Sequence, residues 1–266
     1  MTRYLNTPTD IWLTGAGSGI GYELADQLIQ SGHRLRLSAR RCEPLARLAT
    51  AAPDRVRVLP LDMTDRDATI AMTSDLLEPS PVQLAILNAG TCEYLDASRF
   101  SSQVIANNVN TNLLGTANCI EAVLPTLRQV RRTGLPAALV IVSSSASWFP
   151  FARAEGYGAS KAALTYLAHS LRADLAAEGI EVTVVSPGFV KTPLTDRNDF
   201  PMPFLITAEQ AAQKILAGLR VGRRDIHFPR RFTWLLKILS ALPQPLIDRL
   251  AARLNRTASD HQELRP

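Results

Sequence analysis

Short apolar runs alternate along the chain with longer stretches whose apolar residues recur every three to four positions. The runs at 10–14, 34–38, 56–61, 82–87, 137–142, 181–185 and 225–228 have the length and composition of strands. The longer stretches, at 22–29, 65–77, 101–131, 157–177 and 207–219, carry the spacing of helices with one apolar face. Mostly apolar strands alternating with helices predict a parallel sheet covered on both faces. No repeat or low-complexity linker interrupts the pattern. We therefore expect one α/β domain over 1–228, with 1–9 as a short arm. Ligands of such sheets bind beyond the carboxyl ends of the strands.

A different pattern begins at Pro229. Residues 229–242 form an apolar helix candidate opened by Arg230 and Arg231. Beyond Pro243-Gln244-Pro245, leucines at 246, 250 and 254 and arginines at 249, 253 and 256 mark a second, amphipathic helix over 246–256. Residues 257–266 are polar and expected to fray. Residues 229–266 are thus expected to be a basic helical extension.

Composition and charge sharpen this division. The chain has 266 residues, 46% hydrophobic and 20% charged, which suits one large globular domain. Its net charge of +5 is unevenly placed: residues 220–266 hold ten Lys/Arg and four Asp/Glu, and residues 1–219 are net −1. No run of about 18 apolar residues is available to cross a bilayer. The extension can instead lie in a membrane interface, with Trp234 and arginine at headgroup depth. Capping a pocket or packing on a second subunit fits it equally. No groove-reading motif accompanies the basic residues, so nucleic acid is not expected as a partner. Cys42, Cys92 and Cys119 are too scattered for a disulfide framework or zinc site. His33, His169, His227 and His261 form no ligand cluster, so no metal is expected. The N-terminus lacks a basic-then-apolar leader, and a cytoplasmic protein is expected, peripheral at a membrane if the extension docks there.

Four stretches carry candidate chemistry. Gly15-Ala16-Gly17-Ser18-Gly19-Ile20-Gly21 follows the first strand and opens the first helix. Glycines there let the backbone approach a pyrophosphate that faces the helix N-terminus. The strict G-x-G-x-x-G spacing is absent, because Ile20 stands where the third glycine would fall. Arg40 follows the second strand, where an NAD site places a carboxylate. Arginine suits a 2′-phosphate, so NADP(H) is favoured over NAD(H). Asp62, Asn88, Ser144 and Pro187-Gly188 all fall at or just after strand ends, so one edge of the sheet collects them. Tyr157 and Lys161 share a helix face one turn apart. A nearby cation lowers an acid's pKa by roughly 1–3 units, which makes a phenol a usable proton donor and acceptor near neutral pH.

Taken in order, Thr14-Gly15-x-x-x-Gly19-x-Gly21, Asn88-Ala89-Gly90, Ser144, Tyr157-x-x-x-Lys161 and Pro187-Gly188 resemble the short-chain dehydrogenase/reductase family over about residues 10–228. The resemblance implies a Rossmann-type doubly wound parallel sheet of about seven strands, with helices on both faces. It implies cofactor contacts from Gly15, Gly17, Ser18, Gly19, Ile20 and Gly21, from Arg40, from Asp62 and Met63, and from Asn88, Ala89 and Gly90. Tyr157, Lys161, Pro187, Gly188, Val190 and Thr192 would hold the nicotinamide end. Asn112, Ser144, Tyr157 and Lys161 match the catalytic set; Ser143 or Ser145 can take the place of Ser144 if the loop is irregular. Leu87 replaces an asparagine common before Asn88, and Ser147 stands where a glycine is common.

The implied reaction is hydride transfer between a nicotinamide and a ketone or secondary alcohol. Tyr157 is the expected general acid and base, and Ser144 the hydrogen-bond donor to the substrate oxygen. Lys161 is expected to lower the Tyr157 pKa and hold the nicotinamide ribose, and Asn112 to position a water beside Lys161. Trp148-Phe149-Pro150-Phe151 and Met202-Pro203-Phe204, the latter in a proline-rich, mobile segment, suggest an apolar pocket with a lid and a lipid-like substrate. Three other readings remain open: a 3-oxoacyl-carrier-protein-type reductase docked through the basic extension, a cofactor-binding sensor without turnover, and a peripheral membrane protein. The helices at 101–131 and 157–177 are expected to pair in a homodimer or homotetramer.

Overall fold

The computed structural model describes residues 5–253. The start of the N-terminal arm, the end of the second extension helix beyond 253 and the polar 257–266 segment lie outside the described residues. Seven strands form one sheet: β1 (Asp10–Thr14), β2 (Arg34–Ser38), β3 (Val56–Val58), β4 (Leu84–Leu87), β5 (Ala137–Val142), β6 (Ile180–Pro187) and, last in the chain, Asp225–Phe228. Two short strands, β7 (Val190–Lys191) and β8 (Ile206–Thr207), pair with each other outside it, which makes Asp225–Phe228 β9. The sheet order is β3-β2-β1-β4-β5-β6-β9, and every pairing is parallel. The direction of winding reverses between β1 and β4, which opens a crevice at their carboxyl ends.

The helices are α1 (Gly19–Gln30), α2 (Glu43–Ala51), α3 (Arg66–Ala71), α4 (Thr73–Leu77), α5 (Ser102–Val109), α6 (Thr116–Arg132), α7 (Glu155–Asp174), α8 (Ala208–Arg220), α9 (Arg230–Ser240) and α10 (Gln244–Arg253). Successive strand residues face opposite layers. Ile11 and Leu13 of β1 join Leu24 and Leu28 of α1 and Ile215 and Leu219 of α8. Trp12 points the other way, into a layer with Val123 and Leu127 of α6 and Leu164 of α7. The fold is therefore the doubly wound sheet expected, with helices on both faces.

A charged cluster lies on β1 and β2, with Asp10 and Arg36 buried and Arg34 half exposed. Asp10 accepts from Arg34 Nε at 3.0 Å and from the Ser80 hydroxyl at 2.6 Å. Arg36, only 4% exposed, donates to the backbone carbonyls of Asp75 and Glu78. Burial pushes the Asp10 carboxyl up, but Arg34, Ser80 and Arg36 more than offset it and hold it below its ordinary value.

Several boundaries differ from the sequence expectation for local reasons. The third strand ends at Val58, because Pro60 has no N–H, although Leu59 and Leu61 still donate to Leu37 and Ala39. The helix expected over 65–77 breaks at Met72, where the Thr73 hydroxyl bonds the carbonyls of Ile70 and Ala122. The long helical stretch contains a π-helical turn over Asn110–Gly115, between α5 and α6. The proline-rich segment 189–206 is tied at both ends by the β7–β8 pair. The second extension helix begins at Gln244 rather than 246, with Pro245 in its first turn, where no N–H is missed. Among the described residues no helix is long and apolar enough to cross a membrane.

Helix α1 leaves the sheet at Gly21 with no room for a side chain. A Cβ there would collide with the carbonyl oxygen of Gly15 and lie 2.6 Å from Asn88 Nδ2. Gly21→Ala should therefore destabilise the fold by about 1–3 kcal/mol, read as a lower midpoint in urea; an unchanged midpoint would contradict this packing.

Candidate active site

A cavity of about 300 Å³ lies over the carboxyl ends of the central strands. The glycine loop, Arg40, Arg41, Asp62 and Met63 line one end; Ser144, Tyr157, Lys161, Pro187, Gly188, Val190 and Thr192 line the other. Asn88, Ala89 and Gly90 form the wall between. Of the expected site residues, only Gly21 and Asn112 stand outside the lining. Gly21 packs α1 behind the loop, as described.

Asn112 is fully buried behind Gly90. Its Oδ1 accepts from the Thr91 N–H at 2.8 Å, and its Nδ2 donates to the Thr91 carbonyl at 3.0 Å and to Ser160 Oγ at 2.9 Å. The side chain thus clamps the segment after β4 onto α7, with both amide hydrogens engaged by protein.

Thr14 and Asn88 hold the crevice open. Thr14 Oγ1 accepts from the N–H groups of Asn88 and Ala89, at 3.1 and 3.3 Å. Asn88 Nδ2 returns bonds to the carbonyls of Thr14 and Gly15, both at 3.3 Å. These four bonds replace the ladder where β1 and β4 diverge.

The loop end has the features of an anion cradle. Ser18 stands at the N-cap of α1 without a side-chain capping bond, and the first turn carries no acid. The first-turn N–H groups are not taken by a cap. A Cβ at Gly17 would come within 3.2 Å of Ala39 and Arg41, so glycine keeps this floor low. Arg40 and Arg41 are exposed at the rim. Asp62 accepts from the backbone and hydroxyl of Thr64, and the backbone bond is the main cause holding its carboxyl below the ordinary value, with Arg40 assisting.

At the other end the three serines separate. Ser143 Oγ donates to the Lys161 carbonyl at 3.0 Å and meets Thr165 Oγ1 at 2.7 Å, so it is spent tying β5 to α7. Ser145 is buried in a 3-10 turn. Ser144 is the serine whose hydroxyl bonds Tyr157.

The electrostatics of Tyr157 run opposite to the expected direction. Burial pushes its hydroxyl above the ordinary value, the Cys92 thiol adds to this, and the Ser144 bond only partly offsets it. Lys161 does not counter the shift. Its Nζ stands 6.0 Å from the Tyr157 ring centre and donates to the Val142 carbonyl at 3.0 Å. Burial lowers the ammonium's own pKa to about 8. Desolvation outweighs the charge pair here because both groups share the same dry site.

A second cavity of about 90 Å³ adjoins the first, with Ser144, Tyr157, Gly188, Leu194 and Thr195 lining both. Its other walls include Cys92, Tyr94, Phe151, Phe189, Phe200 and Phe232, and among the described residues no Asp, Glu, Lys or Arg lines it. Phe189 packs 5.5 Å from Phe232 of α9 and 6.1 Å from Phe200. Of the aromatic residues expected there, Phe151 lines this cavity. Trp148 instead lies edge-on to His227, and Phe204 sits at the surface, 6.2 Å from Phe232. Tyr94, Phe189 and Phe200 carry no spacing signal, since each reaches the cavity from a loop.

The family described as short chain dehydrogenase matches residues 10–200. An uncharacterized oxidoreductase of Myxococcus xanthus is 37% identical over 246 residues, covering 91% of this chain and 96% of its own. Sulfoacetaldehyde reductase 2 of Chromohalobacter salexigens is 34% identical over 194 residues, 70% of this chain and 74% of its own. A short chain dehydrogenase from Burkholderia cenocepacia, solved in complex with NADP, has the same fold, with a TM-score of 0.79 at 24% identity over 94% of this chain and 98% of that one.

Removing the Thr14 hydroxyl tests the stitch at the crevice. Thr14→Val keeps the shape but leaves two part-buried N–H groups without this partner, and should cost about 1 kcal/mol in chemical denaturation. Thr14→Ser should restore most of it; equal losses in both variants would count against the hydrogen-bond account.

Proposed function

Because the chain belongs to the short-chain dehydrogenase family of nicotinamide-dependent oxidoreductases, we propose that it interconverts an apolar ketone and its secondary alcohol with NADP(H). The observation that carries this reading is the junction of the two cavities. Ser144 and Tyr157 stand where a charged, glycine-floored cavity meets an aromatic one.

The first cavity fits a dinucleotide. The open N-terminus of α1 suits its pyrophosphate, and Arg40 with Arg41 favours a 2′-phosphate over a bare ribose. Asp62 and Met63 would meet the adenine, and Lys161, Gly188, Val190 and Thr192, at the other end of the lining, the nicotinamide. When bound, the nicotinamide supplies or accepts the hydride.

The protein's part is placement and the proton. Tyr157 donates its hydroxyl proton to the carbonyl oxygen in reduction and takes it back in oxidation. Its raised pKa keeps it protonated at neutral pH, the state that reduction needs. Ser144 donates to the same oxygen and stabilises the charge that develops there. Lys161 would hold the ribose through its ammonium while that group is charged. Asn112 fixes the 88–91 wall against α7 and so acts as a positioning residue.

The second cavity argues for an apolar substrate. An anion such as a sulfonate would find no lining cation and would be buried unpaired at a large cost.

Two measurements test the assignment. Purified protein should oxidise NADPH faster than NADH with a hydrophobic ketone. Tyr157→Phe should lose about 10²–10⁴-fold in kcat while still binding NADPH; turnover at the parent rate would refute the role. The Lys161 ammonium titrates near 8, so kcat/KM for reduction should fall as pH rises through that value. A profile flat across it would show that the ammonium's charge is not needed.

A further inference from the structure

Helix α9 has two apolar faces, and among the described residues only one is covered. Phe232, Thr233 and Leu236 are buried, with Phe232 and Leu236 in a cluster with Phe149 and Ile247. On the opposite side Trp234, Leu235 and Ile238 are 54%, 50% and 62% exposed. With exposed Arg231 they follow the spacing of a single helical stripe. A helix apolar on both sides calls for a second cover.

Charge surrounds the stripe with one sign. Arg230 and Arg231 lie at its start, and the Lys237 ammonium rests 5.5 Å from the Trp234 ring centre. Leu246 and Arg249 of α10 are exposed as well. Over 229–252 the sole acid is Asp248, against Arg230, Arg231, Lys237 and Arg249.

We propose that this stripe docks on an anionic lipid surface, with α9 lying along the headgroup plane. Tryptophan and leucine facing outward, flanked by arginine and lysine, match that interface chemically. A two-fold contact with a second copy would set Arg231 and Lys237 among their own equivalents, like charge on like charge. An acidic protein would meet the charges, but three bulky apolar side chains on a convex helix suit an acyl boundary better than a protein groove. The covered face of the same helix supplies Phe232 to the second cavity. Docking would thus bring that cavity within about 10 Å, one helix diameter, of the lipid. The docking stands apart from the redox reading, because vesicle binding is measured without turnover.

The test is co-sedimentation of the full chain with vesicles of phosphatidylcholine alone or mixed with phosphatidylserine, beside the variants W234S/L235S/I238S and R230E/R231E. The parent should pellet with the phosphatidylserine vesicles and be released by salt. Each basic residue near an anionic surface strengthens binding roughly fivefold, so the charge variant should bind at least about tenfold more weakly. The stripe variant should stay in the supernatant while keeping its NADPH affinity. Three results would overturn the proposal. One is a parent that ignores both vesicle types, and another is a stripe variant that still pellets. The third is a stripe variant altered only in oligomeric state by sedimentation velocity, which would assign the stripe to a second copy.

Discussion

The whole site depends on how β1 and β4 part company. Two parallel strands that stop bonding leave carbonyls and N–H groups without partners in a buried place. Thr14 and Asn88 resolve this by exchanging side-chain bonds across the gap. Their arrangement fixes where Gly15 turns, and Gly21 then brings α1 against that turn without a side chain between them. The floor of the large cavity is thus a by-product of hydrogen-bond satisfaction at one point in the sheet. Asn112 repeats the device a layer further on, bonding both backbone groups of Thr91 and the Ser160 hydroxyl of α7.

At the Tyr157 end of the cavity, burial and charge compete. Tyr157 and Lys161 lie on neighbouring turns of one helix, yet the ammonium is held by the Val142 carbonyl and is itself pushed toward neutrality. Each group is shifted toward its uncharged form by the same dry surroundings. The site therefore favours a phenol that gives a proton over a phenolate that takes one.

Much of this was legible in the sequence because strand alternation and helical spacing are dictated by burial. Residues 10–14 and 137–142 are bounded by glycine and serine and fall where expected. The motifs at strand ends converge because a parallel sheet sends all its carboxyl ends one way. What escaped depends on distances that no spacing encodes. Gly21 looks like a ligand contact until its clearance from Gly15 is known. The direction of the Tyr157 shift needs the depth of the site as well as the presence of a lysine. The π-turn that swings Asn112 inward, and the loop positions of Tyr94 and Phe200, have no periodic signature. Ser143 and Ser144 are identical in sequence terms and are told apart only by which way the end of β5 faces.

Phe232 has a consequence for kinship. It walls the aromatic cavity from a helix that begins at Arg230, beyond the 10–200 stretch shared across the family. On the proposed function, selectivity is then partly written on a module that can diverge, lengthen or be exchanged while the sheet stays intact. Two chains alike through their first two hundred residues can prefer different molecules, and ancestry in the sheet is a poor guide to diet.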